Sequence, residues 1–462
     1  MRKNEIVRLT IEEINNLGCG VGHLDIGNTE RGIVVFVRDA VTGDEIDARI
    51  IKVNKSYLVG KIERLITPSP LRCVPDCNAV GCGGCVYRHI RYEHEAELKR
   101  DYVRNAFRKV GLKDVAVDPV QSTGALTGYR NKAQYPVRNG KNGLEAGFFA
   151  TASHRIVPAD DCKLQPKVFA EIVEFVCRFC TDVGVAAYEE ETGKGLLRHI
   201  YLRIGSKTGE VMVCLILNGT SMPREDEFAK ALCRQFESVK SVMINVNRQN
   251  TNVVLGDEYR LLAGRDWIED ILCGLSFRLS AGAFYQVNHD ACELLYGIAK
   301  ERAALTGKET LLDLYCGIGT IGLSMADAAK EVIGIEIVQE AVERATENAK
   351  RNGIEHASFY CGDASDAKKL LENAEREHGA IDPKNTVVVF DPPRKGSTSE
   401  LIHYVSERGF DRVVYVSCNP DTLARDCVLF RQLGYEIGKV TPVDLFPRTG
   451  HVESVVCLTR GI

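Results

Sequence analysis

The sequence predicts a three-part protein that ends in an α/β domain, because the hydrophobic pattern changes twice along its 462 residues. Residues 1–68 alternate apolar and polar positions in short runs between Gly- or Asp-containing turns, which is typical of a small OB-like β-barrel. Residues 69–282 mix strand-like runs, one basic helix and a dense group of cysteines, which predicts a central α+β domain. From 283 to 462, strands alternate with helices, the pattern of a mostly parallel, doubly wound sheet.

Composition narrows the class of protein. The net charge is only −4, so a nucleic-acid surface would have to be a local patch. No run of about 18 apolar residues predicts a membrane span, and the first twenty residues lack the apolar core of a secretory signal. We therefore expect a cytoplasmic protein with no obligate protein partner. In that compartment thiols stay reduced, so the 17 cysteines favour metal binding or catalysis over disulfides.

Four strand ends in the last region carry residues suited to a nucleotide-like cofactor. The first strand runs into a turn with Gly317 and Gly319, which allow a close backbone approach to a ligand. Glu336 ends the second strand, at a spacing from Gly317 that lets an acid bind ribose hydroxyls. Asp363 and Asp391 follow the third and fourth strands. Because the glycines depart from the dinucleotide pattern, the four strand ends together favour S-adenosylmethionine over NAD and predict a Rossmann-like methyltransferase domain.

Cys418 is the candidate nucleophile. It follows the apolar strand 413–417, at the sheet edge where open α/β folds place their chemistry. The helix expected to start near Asp421 predicts a lowered pKa for this thiol. The final strand of such sheets usually runs antiparallel, so its first residue, Glu453, should lie beside Cys418 and Asp391.

These groups suit the methylation of a pyrimidine carbon. C5 of uracil is a poor nucleophile until a thiolate adds to C6. After methyl transfer, a base must remove the C5 proton so that the thiol can be eliminated. A lone strand-end thiol or carboxylate is commonly only structural. In combination with a methyl-donor fold, however, Cys418 and Glu453 predict a nucleophile and a base.

Five segments together resemble the RNA (uracil-5-)-methyltransferase family, namely 284–288, 313–317, 391–396, 417–420 and 451–453. The resemblance implies that Cys418 is the nucleophile and Glu453 the proton acceptor. It implies S-adenosylmethionine contacts at Gln286, Tyr315, Glu336 and Asp391. The N-terminal region resembles a TRAM domain, an RNA-binding barrel, and this favours the 23S ribosomal RNA branch over the tRNA branch.

The cysteine group at Cys73, Cys77, Cys82 and Cys85 is dense enough to predict a metal site. Its spacing alone is compatible with tetrahedral zinc or with an iron–sulfur cluster. The family resemblance implies a [4Fe-4S] cluster whose four ligands we expect to be Cys77, Cys82, Cys85 and Cys162. The gap between Cys77 and Cys82 is one residue shorter than is common, and Cys73 is an alternative first ligand.

Residues 86–141 contain twelve Lys or Arg against six Asp or Glu and predict the RNA-facing region. Five of these cations recur at helical spacing and could face phosphates, although an ordinary solvated helix has the same pattern: Lys99, Arg100, Arg104, Arg108 and Lys109. Because flipping a base is cheapest where it is unpaired, we expect a loop uridine as the substrate. The family resemblance implies that the partner is ribosomal RNA.

Three alternatives stay open from the sequence. The same chemistry could act on tRNA instead of ribosomal RNA. A cytosine C5 methyltransferase is disfavoured, since that chemistry usually presents its nucleophile after a proline, whereas Ser417 precedes Cys418 here. A non-catalytic RNA-binding iron–sulfur protein would not need to keep Cys418 and Glu453.

Overall fold

The computed structural model describes residues 2–25, 32–363 and 366–461. Its first sheet contains β1 (Ile6–Thr10), β2 (Glu13–Ile14), β3 (Cys19–Leu24), β4 (Ile33–Arg38), β5 (Glu45–Val53) and β6 (Tyr57–Thr67). The strand order is β1-β5-β6-β4-β3-β2, and β4 and β6 are parallel. Alternate side chains such as Val35, Val37 and Ile46 point into one apolar core, as the period-two pattern predicts.

The middle region contributes a seven-stranded sheet with the order β13-β12-β11-β10-β7-β8-β9, and a separate hairpin, β14-β15. Its elements are α1 (Tyr92–Lys109), β7 (Lys132–Gly140), β8 (Gly143–Phe149), β9 (Ile156–Pro158), α2 (Lys167–Asp182), β10 (Leu197–Ile204), β11 (Val211–Leu217), α3 (Glu225–Gln235), β12 (Val239–Val246), β13 (Glu258–Gly264), β14 (Trp267–Leu272) and β15 (Leu275–Ser280).

Strand β11 is buried on both faces, which explains why its sequence is uniformly apolar. Val213 and Leu215 pack in one core with α2 and α3. Met212, Cys214 and Ile216 pack on the other side, in a core shared with the C-terminal domain. The sheet is therefore sandwiched between its own helices and the domain that follows.

The C-terminal domain is the predicted doubly wound sheet. Its elements are α4 (His289–Ala303), β16 (Thr310–Leu314), α5 (Thr320–Ser324), β17 (Glu331–Glu336), α6 (Gln339–Arg351), β18 (Ala357–Cys361), α7 (Ala367–His378), β19 (Thr386–Phe390), α8 (Ser399–Arg408), β20 (Arg412–Ser417), α9 (Pro420–Gln432), β21 (Tyr435–Ile437), β22 (Thr441–Val443) and β23 (Glu453–Arg460).

The strand order of this sheet is β18-β17-β16-β19-β20-β23-β21, with β22 also paired to β23. The first five strands along this order are parallel, so their carboxyl ends share one edge. Strand β23 runs antiparallel to β20 and brings its first residue to that same edge. The topology thus gathers every predicted strand-end residue on one side of the sheet.

The basic helix α1 differs from its predicted role. Its apolar face, with Val103 and Phe107, packs in the core of the C-terminal sheet. Lys99 is buried on that face and pairs with two carboxylates, while Arg100 donates to the carbonyl of Val117. The prediction that Lys99 and Arg100 face phosphates is therefore wrong, whereas Arg108 and Lys109 at the end of the helix are exposed.

No helix within the described ranges combines the length and the apolar character needed to cross a membrane.

Candidate active site

The turn after β16 is closed by main-chain and carboxylate hydrogen bonds. The amides of Tyr315 and Cys316 both donate to the carbonyl of Ile335, each at 3.0 Å. The Glu336 carboxylate, at the end of β17, accepts from the Gly317 amide at 3.1 Å. Tyr315 has a positive φ of 73°, a sparsely populated conformation that clusters at ligand-binding turns. The predicted contacts at Tyr315, Gly317 and Glu336 thus form one continuous surface.

Asp313 braces this turn from inside, a role that sequence reasoning missed. Its side chain is fully buried and accepts from the Gly322 amide at 2.9 Å. A Cβ on Gly322 would lie 2.9 Å from the same carboxylate oxygen, so only glycine fits. Burial raises the pKa of Asp313 to about 7. The missed signal was its place within the buried strand, where an acid needs a partner.

Gln286 lies on a loop that the central domain holds in place. Its carbonyl accepts from the Asn131 amide group at 2.9 Å. The buried Arg203 donates to the carbonyls of Ser280 and Ala283, both at 2.7 Å. Because all three bonds are accepted by backbone carbonyls of the loop, they fix its position and do not involve the Gln286 side chain.

The two remaining cofactor candidates, Asp363 and Asp391, lie on different strands of the sheet edge. Asp363 follows β18 and is exposed, whereas Asp391 follows β19 and is partly buried beside the β20 end. Burial raises the pKa of the Asp391 carboxyl to about 7. The structure thus brings Asp391 to the predicted catalytic pair and leaves Asp363 on the far side of the turn.

Cys418 and Glu453 face each other across two neighbouring strands. Ser417, the last residue of β20, pairs with Ser454 of β23 in an antiparallel register. Cys418 directly follows β20 and Glu453 is the first residue of β23, so a continuation of this register would set them opposite one another, and the charge of Glu453 acts on the Cys418 thiol. Directly opposed antiparallel residues have Cα atoms about 4.5–5.5 Å apart and project to the same face. A thiol and a carboxyl are therefore placed side by side.

The loop that carries Cys418 is joined to the loop after β19. Asn419 donates from its side-chain amide to the carbonyl of Arg394 at 2.9 Å, and its oxygen caps α9 at the Asp421 amide. The Thr422 hydroxyl donates to the same Arg394 carbonyl at 3.4 Å. Cys418 and Asp391 are thereby held in one rigid corner.

The electrostatics of this corner reverse one prediction. The pKa of the Cys418 thiol is raised to about 11, first by burial and then by the charges of Glu453 and Asp391. The pKa of Glu453 is raised to about 8, first by burial and then by Asp391, while Arg394 opposes the shift. The predicted lowering of the thiol pKa is therefore wrong for the protein without ligand. A buried group of acids with raised pKa values is suited to receive a positively charged molecule.

The four predicted cluster cysteines line a single cavity of about 580 Å³. Cys73 is not among its lining residues; its thiol instead donates to the Arg88 carbonyl at 3.4 Å. Burial raises the pKa of the Cys162 thiol to about 11, and the other three cysteines add to the shift. Within the described residues, no three of these sulfurs lie within 4.8 Å of one another.

The fold, the strand-edge acids and the Cys–Glu pair define a methyltransferase of the doubly wound α/β class. The family model for tRNA (uracil-5-)-methyltransferase matches residues 92–461, and the model for the TRAM domain matches residues 2–62. The chain belongs to the tRNA (uracil-5-)-methyltransferase family and is an S-adenosylmethionine-dependent enzyme of RNA uracil C5 methylation. The family resemblance, the TRAM domain and the methyltransferase fold are thus confirmed.

The relatives described next are similar to this chain over nearly its full length. A protein described as an uncharacterized RNA methyltransferase from Clostridium acetobutylicum is 38% identical, over 100% of this chain and 98% of its own. One of the same description from Halalkalibacterium halodurans is 39% identical, over 99% and 98%. The tRNA (uracil-54, C5)-methyltransferase of Pyrococcus abyssi, solved with S-adenosyl-L-homocysteine, is 28% identical with a TM-score of 0.76. The match covers 98% of this chain and 99% of that one.

Proposed function

We propose that this enzyme methylates C5 of an RNA loop uridine, with Cys418 as the nucleophile and Glu453 as the base. The register that sets the two residues opposite each other at the cofactor edge carries the proposal. Thiolate addition to C6 of uracil activates C5, and removal of the C5 proton allows the thiol to leave. Both steps need a thiol and a carboxyl on the same side of one base, which is what this arrangement supplies.

S-adenosylmethionine, when bound, supplies a methyl group and a positive charge on sulfur. We assign its contacts to Gln286, Tyr315, Gly317, Glu336, Asp363 and Asp391. The residues fit such a group, because Asp391 is an acid with a raised pKa at the catalytic end of the edge. Its charge raises the pKa values of both Cys418 and Glu453. Compensation of Asp391 by a cation would therefore favour the ionised thiol and the ionised base together.

Two substitutions test the mechanism. We expect Cys418→Ala to abolish methyl transfer and leave RNA binding intact, because the alanine cannot add to C6. We expect Glu453→Gln to accumulate an RNA–protein adduct that survives denaturation, because the C5 proton stays in place. Cys233→Ala and Glu436→Gln, which change a thiol on α3 and an exposed acid on β21, serve as controls. Normal turnover by Cys418→Ala would overturn the mechanism.

For the target we propose 23S ribosomal RNA, on the family resemblance of the cysteine group; the TRAM match at residues 2–62 supports an RNA substrate of either kind. A tRNA target is the second candidate, because the Pyrococcus abyssi tRNA enzyme matches 98% of this chain, including its N-terminal region. Labelled methyl transfer to purified 23S RNA and to purified tRNA, both lacking the modification, separates them. Incorporation into tRNA alone would contradict the ribosomal target.

We also propose that Cys77, Cys82, Cys85 and Cys162 bind a [4Fe-4S] cluster. A tetrahedral zinc would hold its sulfurs about 3.8 Å apart, since each Zn–S bond is about 2.3 Å. A four-iron cluster binds each thiolate through a different iron and holds them farther apart. The proposal is supported by the cavity that all four cysteines line together. Iron and sulfide analysis of anaerobically purified protein tests this: Cys162→Ser should lose iron and Cys73→Ser should keep it. Zinc at one equivalent without iron would contradict it.

A further inference from the structure

The segment 444–452 joins β22 to β23 and leads directly into Glu453. It has no regular secondary structure, so contacts from other parts of the chain must fix it. Lys99 donates to the Asp444 carboxylate at 2.7 Å and to the Phe446 carbonyl at 3.1 Å. The hydroxyl of Tyr129 donates to the Pro447 carbonyl at 2.9 Å. The position of the base therefore depends on residues more than 300 positions away in the sequence.

Arg448 makes the densest set of these contacts, and all of them are with residues 86–95. Its carbonyl accepts from the amides of Val86 and Tyr87 at 3.0 and 3.1 Å. Its amide donates to the Glu95 carboxylate at 2.6 Å. Its guanidinium donates to the Ile90 carbonyl at 2.9 Å and to the second Glu95 oxygen at 3.3 Å.

The backbone of Arg448 is strained, with a φ of 72°. A non-glycine residue in this region is conformationally unfavourable and persists only where its surroundings impose it. The five hydrogen bonds to residues 86–95 impose it here. Without them, we expect the chain around Arg448 to relax to an ordinary conformation and to loosen the start of β23, where Glu453 pairs with Val443.

Two of these bonds come from the residues that follow Cys85 in the chain. Cys85 lines the four-cysteine cavity, and Val86 and Tyr87 come directly after it. A shift of Cys85 therefore moves the two amides that hold the Arg448 carbonyl. Arg448 lies five residues before Glu453, the first residue of β23. A short path of covalent and hydrogen bonds therefore joins the cavity, through Val86, Tyr87 and Arg448, to the base.

We propose that Arg448 is a positioning residue that couples the four-cysteine cavity to Glu453. Loss of order at the cavity then slows proton removal from C5, while binding of RNA and of S-adenosylmethionine is retained. The proposal rests on the assignment of Glu453 as the base. In this proposal, the order of the cysteine cavity affects the rate of one chemical step, the removal of the C5 proton by Glu453.

Hydrogen exchange of the full-length protein tests the path without using activity. We expect Cys85→Ser to speed amide exchange across 444–452 by about tenfold or more, because the amides holding Arg448 are released. Cys233→Ser, which changes a thiol on α3 away from both the cavity and residues 86–95, should leave this segment as in the wild type. Unchanged exchange in Cys85→Ser, or equal acceleration in both variants, would overturn the coupling.

Adduct kinetics test the chemical step. We expect Arg448→Met to form the covalent RNA adduct at the wild-type rate and to resolve it about tenfold to a hundredfold more slowly, since small misplacements of a reacting group cost rates of this order. Arg448→Lys, which keeps a donor, should recover part of the loss. A variant that instead loses RNA affinity, or slows adduct formation and resolution equally, would overturn the role. Failure of Glu453→Gln to trap an adduct would instead refute the base assignment itself.

Discussion

Glu453 is an acid kept close to neutral in the protein without ligand, because burial and Asp391 raise its pKa from 4.5 to about 8. In the unfolded chain it ionises near its ordinary value. Below pH 4.5 both states are protonated and the group has no effect on stability. As pH rises through 4.5 to 8, the unfolded state loses its proton first, so the folded state is progressively destabilised.

Glu453→Gln should therefore stabilise the ligand-free protein at pH 9, on the order of a few kcal/mol, and leave it nearly unchanged at pH 4.5. Thermal melts of both proteins across this range measure the difference. Glu436→Gln, at an exposed strand position, should track the wild type. A Glu453→Gln profile parallel to the wild type at all pH values would contradict the raised pKa.

At the scale of single residues, the sequence predicted that Cys418 and Glu453 lie at one sheet edge, but it predicted the direction of the thiol pKa wrongly. Cys418 and Glu453 could be found because strand polarity alone places both at one edge. The thiol pKa was predicted to fall because a helix end contributes about 0.3–1 kcal/mol. The pKa of the thiol instead rises from 9.0 to about 11. Burial and two nearby carboxylates outweigh the helix, and neither is visible in a local stretch of sequence.

Among the elements, α1 shows what the periodicity of charged residues cannot predict, namely the partners that a helix face contacts. Its charges recur at helical spacing, which indicates a face but not what that face contacts. Lys99 can be buried because it pairs with Asp444, which lies far along the chain, just after β22. The helix itself was predicted. A long-range ion pair leaves no local signal, so the role of Lys99 could not be predicted.

Lys99→Met should destabilise the protein by about 3–5 kcal/mol, because it leaves Glu95 and Asp444 buried without their cation. Burial already raises the pKa of Glu95, and Lys99 opposes that shift. Arg104→Ala, on an exposed stretch of the same helix, removes only a surface pair with Asp101 and should change stability by less than about 0.5 kcal/mol. Denaturant unfolding of the two variants measures both values, and equal effects would contradict the buried pairing.

On the scale of the whole molecule, three regions of the sequence meet at the segment before Glu453. The N-terminal barrel contacts the cysteine loop through Ile14 and Val41, which share a small core with Tyr87 and Ile90. The cysteine loop holds the segment at Arg448. The sequence predicted the regions because each has its own hydrophobic period. It could not predict their junction, because interfaces between domains have no period of their own.

Gly450 marks the closest approach at this junction. A Cβ there would lie 2.0 Å from the carbonyl oxygen of Asn16, a backbone atom of the N-terminal barrel that cannot swing aside. Gly450→Ala should therefore displace the barrel from the catalytic segment and lower both the melting temperature and the rate of methyl transfer. Gly297→Ala is a matched control, because it lies within α4 with open space around it and should stabilise the protein by up to about 1 kcal/mol. Melting curves and methyl transfer to RNA, measured on both variants, decide whether the barrel and the catalytic edge act as one unit. Wild-type values for Gly450→Ala would show that the contact can be lost without consequence.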